Sequence, residues 1–85
     1  MSYNIIFTKA AAKELEQIPK TYYNKIKGRI LKLADNPRPA GSIKLKGSEN
    51  LYRIRVGTYR VVYCIADKII TVTITRIAHR KEVYD

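Results

Sequence analysis

The hydrophobic residues of this chain follow two spacings, one typical of strands and one typical of helices. Tyr3 to Phe7 is a short β-type run, and Thr8 then occupies the position of a helix N-cap ahead of the sequence KAAAKELEQI. The apolar residues of that sequence keep helical spacing: Ala11, Leu15 and Ile18. Pro19 ends this helix and can open the next one at its first turn. The pattern predicts a strand that leads into a hairpin of two helices.

The second predicted helix extends from about Lys20 to Ala34 and is amphipathic. We expect its apolar side to face a sheet; that side comprises Tyr22, Ile26, Ile30 and Leu33. The segment DNPRPAGS, residues 35 to 42, combines turn-forming residues with two prolines. It therefore predicts an ordered connection and not a third helix.

Three strands are predicted after this connection, near residues 51–56, 59–66 and 69–77, with turns at Gly57-Thr58 and Asp67-Lys68. Turns this short make the three strands an antiparallel meander. In the last strand Ile70, Val72 and Ile74 alternate with threonines, which gives one face to the helices and leaves the other solvated. The order β-α-α-β-β-β predicts a single α+β domain over residues 1–85, a helical hairpin packed on a small twisted antiparallel sheet.

The first strand of the meander carries arginines where a small protein would be expected to collect core. Alternation places its apolar residues on one face and Arg53 and Arg55 on the other, which we expect to be the solvated face. A two-residue hairpin register would bring Arg60 close to Arg55. Like charges paired across strands are destabilising, whereas guanidinium groups match phosphate oxygens. The cluster predicts a phosphate-binding surface; the alternative is that these charges only solvate an open sheet face.

The overall charge favours the phosphate-binding interpretation. The 85 residues include 17 Lys and Arg against 7 Asp and Glu, a formal net charge of +10. Such an excess favours a polyanionic partner: nucleic acid first, then an acidic protein, and last an anionic membrane. No apolar run approaches the roughly 18 residues of a membrane span, so we expect a soluble, cytoplasmic protein. With one cysteine, Cys64, and one histidine, the sequence predicts neither an internal disulfide nor a soft-metal site.

Further candidate nucleic-acid-binding residues lie upstream of the meander and at its end. Upstream, Lys44 and Lys46 alternate along the chain and widen the basic field. Downstream, the sequence RIAHRKEVYD adds Arg76, His79, Arg80 and Tyr84. The cations could contact a phosphate, and the tyrosine could stack on a base. The alternatives are a solvated imidazole for His79 and a hydrophobic clamp that ties down the tail for Tyr84.

Four short motifs, in this order and spacing, resemble the RelE/ParE toxin superfamily of bacterial and archaeal toxin-antitoxin systems. They are KLKG, YRIR, YRVVY and HRKEVY, and the resemblance covers essentially the whole chain. It implies a RelE-like fold and, for the RelE branch, an mRNA endonuclease that enters the ribosomal A site. This enzyme would use the RNA's own 2′-hydroxyl as nucleophile and no metal or other cofactor. The catalytic positions that the resemblance implies are Arg53, Arg55, Arg60, Arg80 and Tyr84.

The RelE branch commonly has lysines at the first two of these positions, where this chain has Arg53 and Arg55. A guanidinium is a poor proton acceptor, whereas a lysine flanked by cations loses its proton more easily. The general base therefore stays open among Lys44, Lys46, His79 and Glu49. The preferred roles give Arg53 and Arg60 to the phosphate charge. Arg80 then acts on the leaving-group side, and Tyr84 stacks on and orients the base.

The resemblance also implies partners: a cognate antitoxin protein, the ribosome with its mRNA, operator DNA through the antitoxin complex alone, and no membrane. A ParE-like toxin that inhibits DNA gyrase by protein contact shares the fold and is the alternative. That branch generally lacks the full set formed by Arg60, Arg80 and Tyr84. A simple basic nucleic-acid-binding domain is a third interpretation, which explains the charge but does not require the clustered tail.

Overall fold

The structure, a computed structural model, describes residues 2–79, with two helices packed on one face of a five-stranded sheet. The elements in chain order are β1 (Asn4–Phe7), α1 (Lys9–Glu16), α2 (Lys20–Lys32), β2 (Ile43–Lys44), β3 (Leu51–Val56), β4 (Tyr59–Ala66), a 3-10 helix (Asp67–Ile69) and β5 (Thr71–His79). The predicted α+β fold is confirmed. Within residues 2–79, neither helix has the length and hydropathy needed to cross a membrane.

The helical hairpin begins and turns as the sequence predicts. The hydroxyl oxygen of Thr8 accepts a hydrogen bond from the backbone N–H of Ala11 at 3.1 Å, which satisfies one of the unpaired donors of the first turn. Pro19 is the N-cap residue of α2, where its missing N–H is not needed. The second helix ends at Lys32, slightly before the predicted Ala34.

The sheet has the strand order β1-β5-β4-β3-β2. The antiparallel meander of β3, β4 and β5 is present as predicted, with β3 and β4 at the predicted bounds. Two features extend that prediction. The chain returns from β1 through the helices, and β1 pairs in parallel with β5, so the sheet is mixed and not wholly antiparallel as the sequence predicted. A two-residue strand, β2, also lines the outer edge of β3.

The last strand differs from its prediction at both ends. Residues Asp67–Ile69 form a 3-10 turn and Ile70 has a left-handed backbone with φ 49°, so β5 starts only at Thr71. Near its middle, Val62 lies opposite Arg76 whereas Tyr63 lies opposite Ile74, which leaves one extra residue in β5. This extra residue is Thr75, and its hydroxyl donates a hydrogen bond to the Val62 carbonyl at 3.1 Å. The bulge shifts the alternation by one residue, so buried Ile77 follows Ile74 at an odd spacing.

The core lies between the helices and the sheet, and a smaller apolar cluster lies on the opposite face of the sheet. The larger cluster comprises Ala11, Leu15, Ile18, Ile26, Ile30, Leu33, Ile54, Val56, Val61, Tyr63, Ile65, Val72, Ile74 and Ile77. The expectation that Tyr22 belongs to the buried side of α2 is wrong. Tyr22 lies in the first turn of α2, is 43% exposed, and packs its ring against that of Tyr59 in β4. The smaller cluster consists of buried Val62 and Ala78 with half-buried Leu45 and Leu51. It covers part of the sheet face opposite the helices.

Candidate active site

The β3–β4 hairpin brings two of the predicted site residues directly opposite each other. A two-residue turn at Gly57-Thr58, where Gly57 has a φ of 62°, makes Arg55 and Arg60 direct pairing partners. This confirms the neighbourhood that the sequence predicted. Arg55 is exposed and Arg60 is half-buried. Two like charges held in register are unfavourable for folding, and an anion between them would relieve that repulsion.

Arg53 lies on the same face of β3 as Arg55, but its expected solvation is wrong. Only 2% of Arg53 is exposed. The reason is its place inside the sheet, where Ile43 is opposite on one side and Val62 on the other. The apolar cluster of Val62 and Leu45 also lies on this face. The three arginines therefore share the face away from the helices, here called the arginine face, with burial increasing from Arg55 to Arg60 to Arg53.

The predicted RNA-binding lysines and the base candidate Glu49 are less well placed than the arginines to contact a phosphate on the arginine face. Lys44 lies opposite Tyr52, and directly opposite residues project from the same face of a sheet, so Lys44 lies on the helix side and not on the arginine face. Lys46 is exposed in the turn region after β2. Glu49 adjoins Ile65 in a cavity at the other end of β4. Because Ile65 is five residues from Arg60, that end lies about 17 Å away along the strand.

Arg76 and His79 each have a neighbour from another element. The Nε of Arg76 donates to Oε2 of Glu14 at 3.1 Å. The other oxygen, Oε1, accepts from the backbone N–H of Ile77 at 2.7 Å, beyond the point where β1 ends. His79 pairs with Tyr59 across the sheet, and their ring centroids are 5.7 Å apart in an edge-to-face arrangement. The predicted residues Arg80 and Tyr84 lie outside the described residues.

Sequence reasoning missed an ion-pair cluster, here called the Arg38 clasp, formed by Arg38, Asp67, Tyr3 and Tyr52. The guanidinium of Arg38 donates to both carboxylate oxygens of Asp67, at 2.9 and 3.4 Å. Its Nε donates to the Tyr52 hydroxyl at 3.1 Å, and the Tyr3 hydroxyl donates to Asp67 at 2.7 Å. These contacts join the N-terminus, the connection after α2, β3 and the turn before β5. No local pattern could have indicated them, since Arg38 and Asp67 are 29 residues apart.

The clasp also changes the proton affinities of its members. The hydrogen bond from Arg38, with that from Tyr3, holds the pKa of Asp67 below its usual value. The same carboxylate raises the pKa of Tyr3 and, together with Tyr52, that of Arg38. Nearby, burial raises the pKa of Tyr63 to about 12. The clasp therefore keeps Asp67 ionised and serves to fix the connection of residues 35–42 against the sheet.

Cys64 is half-buried in β4, and residues 2–79 contain no cluster of three or more His, Cys, Asp or Glu side chains able to hold a metal ion.

Comparison with known proteins assigns the chain to a family. A family model described as the ParE toxin of the type II toxin-antitoxin system parDE matches residues 5–84. Toxin RelE3 of Methanocaldococcus jannaschii is 34% identical, over 95% of this chain and 94% of its own length. The mRNA interferase toxin RelE of Escherichia coli K12 is 28% identical, over 99% of this chain and 92% of its own.

Solved structures of similar proteins agree with these relatives. A chain of the archaeal RelE-RelB complex from Pyrococcus horikoshii OT3 superposes with a TM-score of 0.84 at 31% identity, covering 98% of this chain and 100% of that chain. The isolated E. coli RelE toxin gives a TM-score of 0.82 at 25% identity, covering 92% and 84%. The family model bears the ParE description, whereas these relatives and structures are named RelE. The chain thus belongs to the RelE/ParE superfamily of toxins of type II toxin-antitoxin systems.

Proposed function

We propose that this toxin is an endoribonuclease that cleaves mRNA in the ribosomal A site in the cytoplasm and so stops translation. The observation that carries the proposal is the pair of Arg55 and Arg60, held directly opposite each other on the arginine face. Guanidinium groups bind phosphate oxygens through forked hydrogen bonds. The name of the E. coli relative, an mRNA interferase, supports this assignment.

The proposed reaction is an attack of a 2′-hydroxyl oxygen on the adjacent phosphorus. The new O2′–P bond forms as the P–O5′ bond breaks, giving a cyclic phosphate and a free 5′-hydroxyl. The attacking hydroxyl loses a proton, and the leaving oxygen gains one. Negative charge grows on the non-bridging oxygens, where Arg60 would stabilise it by direct hydrogen bonds and the buried Arg53 by its charge at longer range. Because the nucleophile belongs to the substrate, the reaction as proposed needs neither a metal-bound water nor another cofactor.

The remaining roles follow from position for the described residues and from the family resemblance for Arg80 and Tyr84. Arg55, which is exposed, would bind the incoming RNA backbone beside Arg60. We assign Arg80 to the leaving group and Tyr84 to stacking on the base, as the family resemblance implies. Among the base candidates, Glu49 is disfavoured by its distance along β4 from Arg60. Lys44, on the helix side, is disfavoured by its direction, while Lys46 and His79 stay as candidates.

A cognate antitoxin is the expected protein partner. Several of the similar structures are RelE-RelB complexes, from Pyrococcus horikoshii, Mycobacterium tuberculosis and E. coli among other sources. With a net charge of +10, this chain would attract an acidic antitoxin segment, whose binding would cover the arginine face. Operator DNA would then be contacted through the antitoxin in the complex.

The test is to map mRNA 5′ ends after brief induction of the toxin. Cuts in phase with codons, present for the wild type and lost for Arg60→Ala, are the expected result. Cleavage of the same mRNA by purified protein only when ribosomes are added would establish ribosome dependence. Growth arrest without new mRNA ends would reject the proposal.

One observation favours a second candidate function, inhibition of DNA gyrase by protein contact. The family model that matches residues 5–84 is described as a ParE toxin. A supercoiling assay with purified gyrase separates the two functions, because the RNase should leave supercoiling unchanged at concentrations that arrest translation. Inhibited supercoiling with intact mRNA would favour the gyrase-directed alternative.

A further inference from the structure

We propose that a cleft on the helix side of the β5 edge binds one unstacked RNA base; this inference rests on the proposed function. The cleft is lined by Glu14 and Gln17 from the end of α1, Ile18, Tyr59, Ile77 and His79. It lies around the end of the sheet from the arginine face. Of its lining residues only His79, a candidate for the general base, has a role in the site described above.

The cleft exists because two neighbouring strands differ in length. Strand β1 ends at Phe7, which pairs with Ile74, whereas β5 continues to His79. Within residues 2–79, the stretch from Arg76 to His79 therefore has a strand neighbour on the β4 side alone. The chain leaves β1 into α1, and the carboxylate of Glu14 takes the position of the missing strand at the Ile77 N–H.

The walls of the cleft suit a flat heteroaromatic ring. The rings of Tyr59 and His79 lie edge-to-face with centroids 5.7 Å apart, and Tyr22 extends this row, its ring tilted against that of Tyr59 with centroids 5.6 Å apart. Aromatic side chains are the usual platform for unstacked bases, because every base has a π-face. The cavity volume is about 230 Å³. This is below the roughly 300–1,000 Å³ of pockets for drug-sized ligands, so there is room for one ring system and not for a dinucleotide.

Polar groups at the back of the cleft match the edge of a base. Each carboxylate oxygen of Glu14 already accepts one hydrogen bond, from Arg76 or from Ile77, and retains a second lone pair for an amino or imino group. The amide of Gln17 offers both a donor and an acceptor. The ion pair with Arg76 offsets the charge of Glu14, so the cleft need not repel a polyanion.

The cleft is connected to the arginine face by chain geometry. Tyr59 and Arg60 are adjacent in β4 and project to opposite faces, while Ala78, next to His79, pairs with Arg60. An RNA strand with one phosphate between Arg55 and Arg60 can pass around the end of β5. Its neighbouring base then reaches the cleft. An extended protein segment that adds to the β5 edge is the competing occupant, and the aromatic row and Glu14 favour the base over an acidic peptide.

The test is an NMR titration of the ¹⁵N-labelled full chain with each of the four nucleoside 5′-monophosphates. These probes contain no phosphodiester and cannot be cleaved. We expect saturable shifts of the Gln17, Ile77 and His79 amides up to about 10 mM, the affinity range expected for a single base. Ribose 5-phosphate should not shift them. Tyr59→Leu should raise the Kd about fivefold or more, and Gln17→Ala by about two- to tenfold.

Matched controls separate this site from general damage. Tyr23→Leu replaces another tyrosine packed on the same core, and Asn24→Ala removes another exposed amide, so both should bind as the wild type does. Unmoved cleft amides, wild-type affinity in both cleft variants, or equal shifts with ribose 5-phosphate would overturn the inference. The inference would also be overturned if an antitoxin protected the cleft amides from hydrogen exchange while nucleotides left their chemical shifts unchanged. Nucleotide binding without mRNA cleavage would reject the RNase proposal alone, and cleavage without nucleotide binding would reject the cleft alone.

Discussion

The three arginines of the β3–β4 hairpin share one chemistry in three environments. Arg55 is exposed, Arg60 is half-buried, and Arg53 is 2% exposed. Charge interactions strengthen as the surrounding dielectric constant falls, but a fully covered group cannot reach a substrate without rearrangement. Arg60 combines access with partial desolvation. We therefore expect the largest catalytic loss when Arg60 is removed.

Arg60→Ala should slow single-turnover cleavage of ribosome-bound mRNA by about 10²- to 10³-fold, the usual effect of losing one donor to a developing oxyanion. The melting temperature should change little. The packing lost with the half-buried side chain is offset because the substitution removes the repulsion between Arg60 and Arg55. Arg29→Ala is the matched control, a half-buried arginine on α2. A wild-type rate, or a large fall in melting temperature, would return Arg60 to a structural role.

The hydroxyl of Tyr63 is buried inside the protein. Its ring is fully buried, and its hydroxyl donates to the Pro37 carbonyl at 2.8 Å. Tyr63→Phe keeps the ring but leaves a buried carbonyl without that donor, so the free energy of unfolding should fall by about 1–3 kcal/mol. Thermal melts should show a fall of about 4–8 °C per kcal/mol. Tyr22→Phe, at an exposed position, is the control; equal melts for the two variants would contradict this account.

Residue contacts could be predicted from the sequence where they are local. The Thr8 cap and the Arg55–Arg60 pair each depend on a few neighbouring residues and a known turn geometry. The burial of Arg53 was not predictable, because it depends on Ile43 and Val62, its pairing partners on the two neighbouring strands. The same holds for Glu14 with Arg76, separated by 62 residues. Such pairs exist only after the sheet has assembled.

At the scale of elements, the meander was predictable and its surroundings were not. Periodicity and short turns specify β3 and β4 fully, since each turn fixes the pairing of its own strands. The parallel pairing of β1 with β5 joins residues about 67 positions apart and leaves no local signal. The bulge at Thr75 likewise leaves no signal in the sequence, because apolar residues and threonine alternate regularly up to that position. Yet the early end of β1 exposes the β5 edge, and the bulge places Ile77 and His79 on the helix side, so both features shape the cleft.

The Arg38 clasp ties these elements together and should make stability depend on acid pH. The pKa of Asp67 is lower in the folded chain than its usual value of 3.8, so its contribution to stability is complete above that value and disappears as the pH falls through the folded pKa. Asp67→Asn should flatten the fall of melting temperature between about pH 5 and pH 2. Glu16→Gln, an exposed carboxylate on α1, should keep the wild-type slope. Identical acid profiles for Asp67→Asn and the wild type would argue against the clasp in solution.

At the scale of the whole molecule, positive charge is not confined to the arginine face. The helix layer carries exposed lysines along α2, including Lys20, Lys25, Lys27 and Lys32, and the chain as a whole has a net charge of +10. A single RNA strand in one groove needs charge on one face only. Charge on both layers favours a partner that surrounds the protein with phosphates, as rRNA would in the A site.

Salt dependence should reveal how many phosphates each partner supplies. Each neutralised phosphate contributes about −0.7 to −0.9 to the slope of log K against log salt, so three contacts weaken binding about 20- to 40-fold between 50 and 200 mM. We expect at least this loss for ribosomes, measured by co-sedimentation with an uncleavable mRNA. A salt-independent affinity would contradict an electrostatic role for the +10 charge.

Two variants that each remove one positive charge can show which layer contacts RNA. Arg55→Ala changes the arginine face, and Lys32→Ala changes the helix layer. On an isolated single strand, Arg55→Ala should reduce the magnitude of the salt slope by about 0.7 while Lys32→Ala leaves it unchanged. On ribosomes both variants should reduce it, because rRNA would contact both layers. If Lys32→Ala has no effect on ribosomes either, the helix layer faces solvent in the complex, and its lysines serve solubility instead of binding.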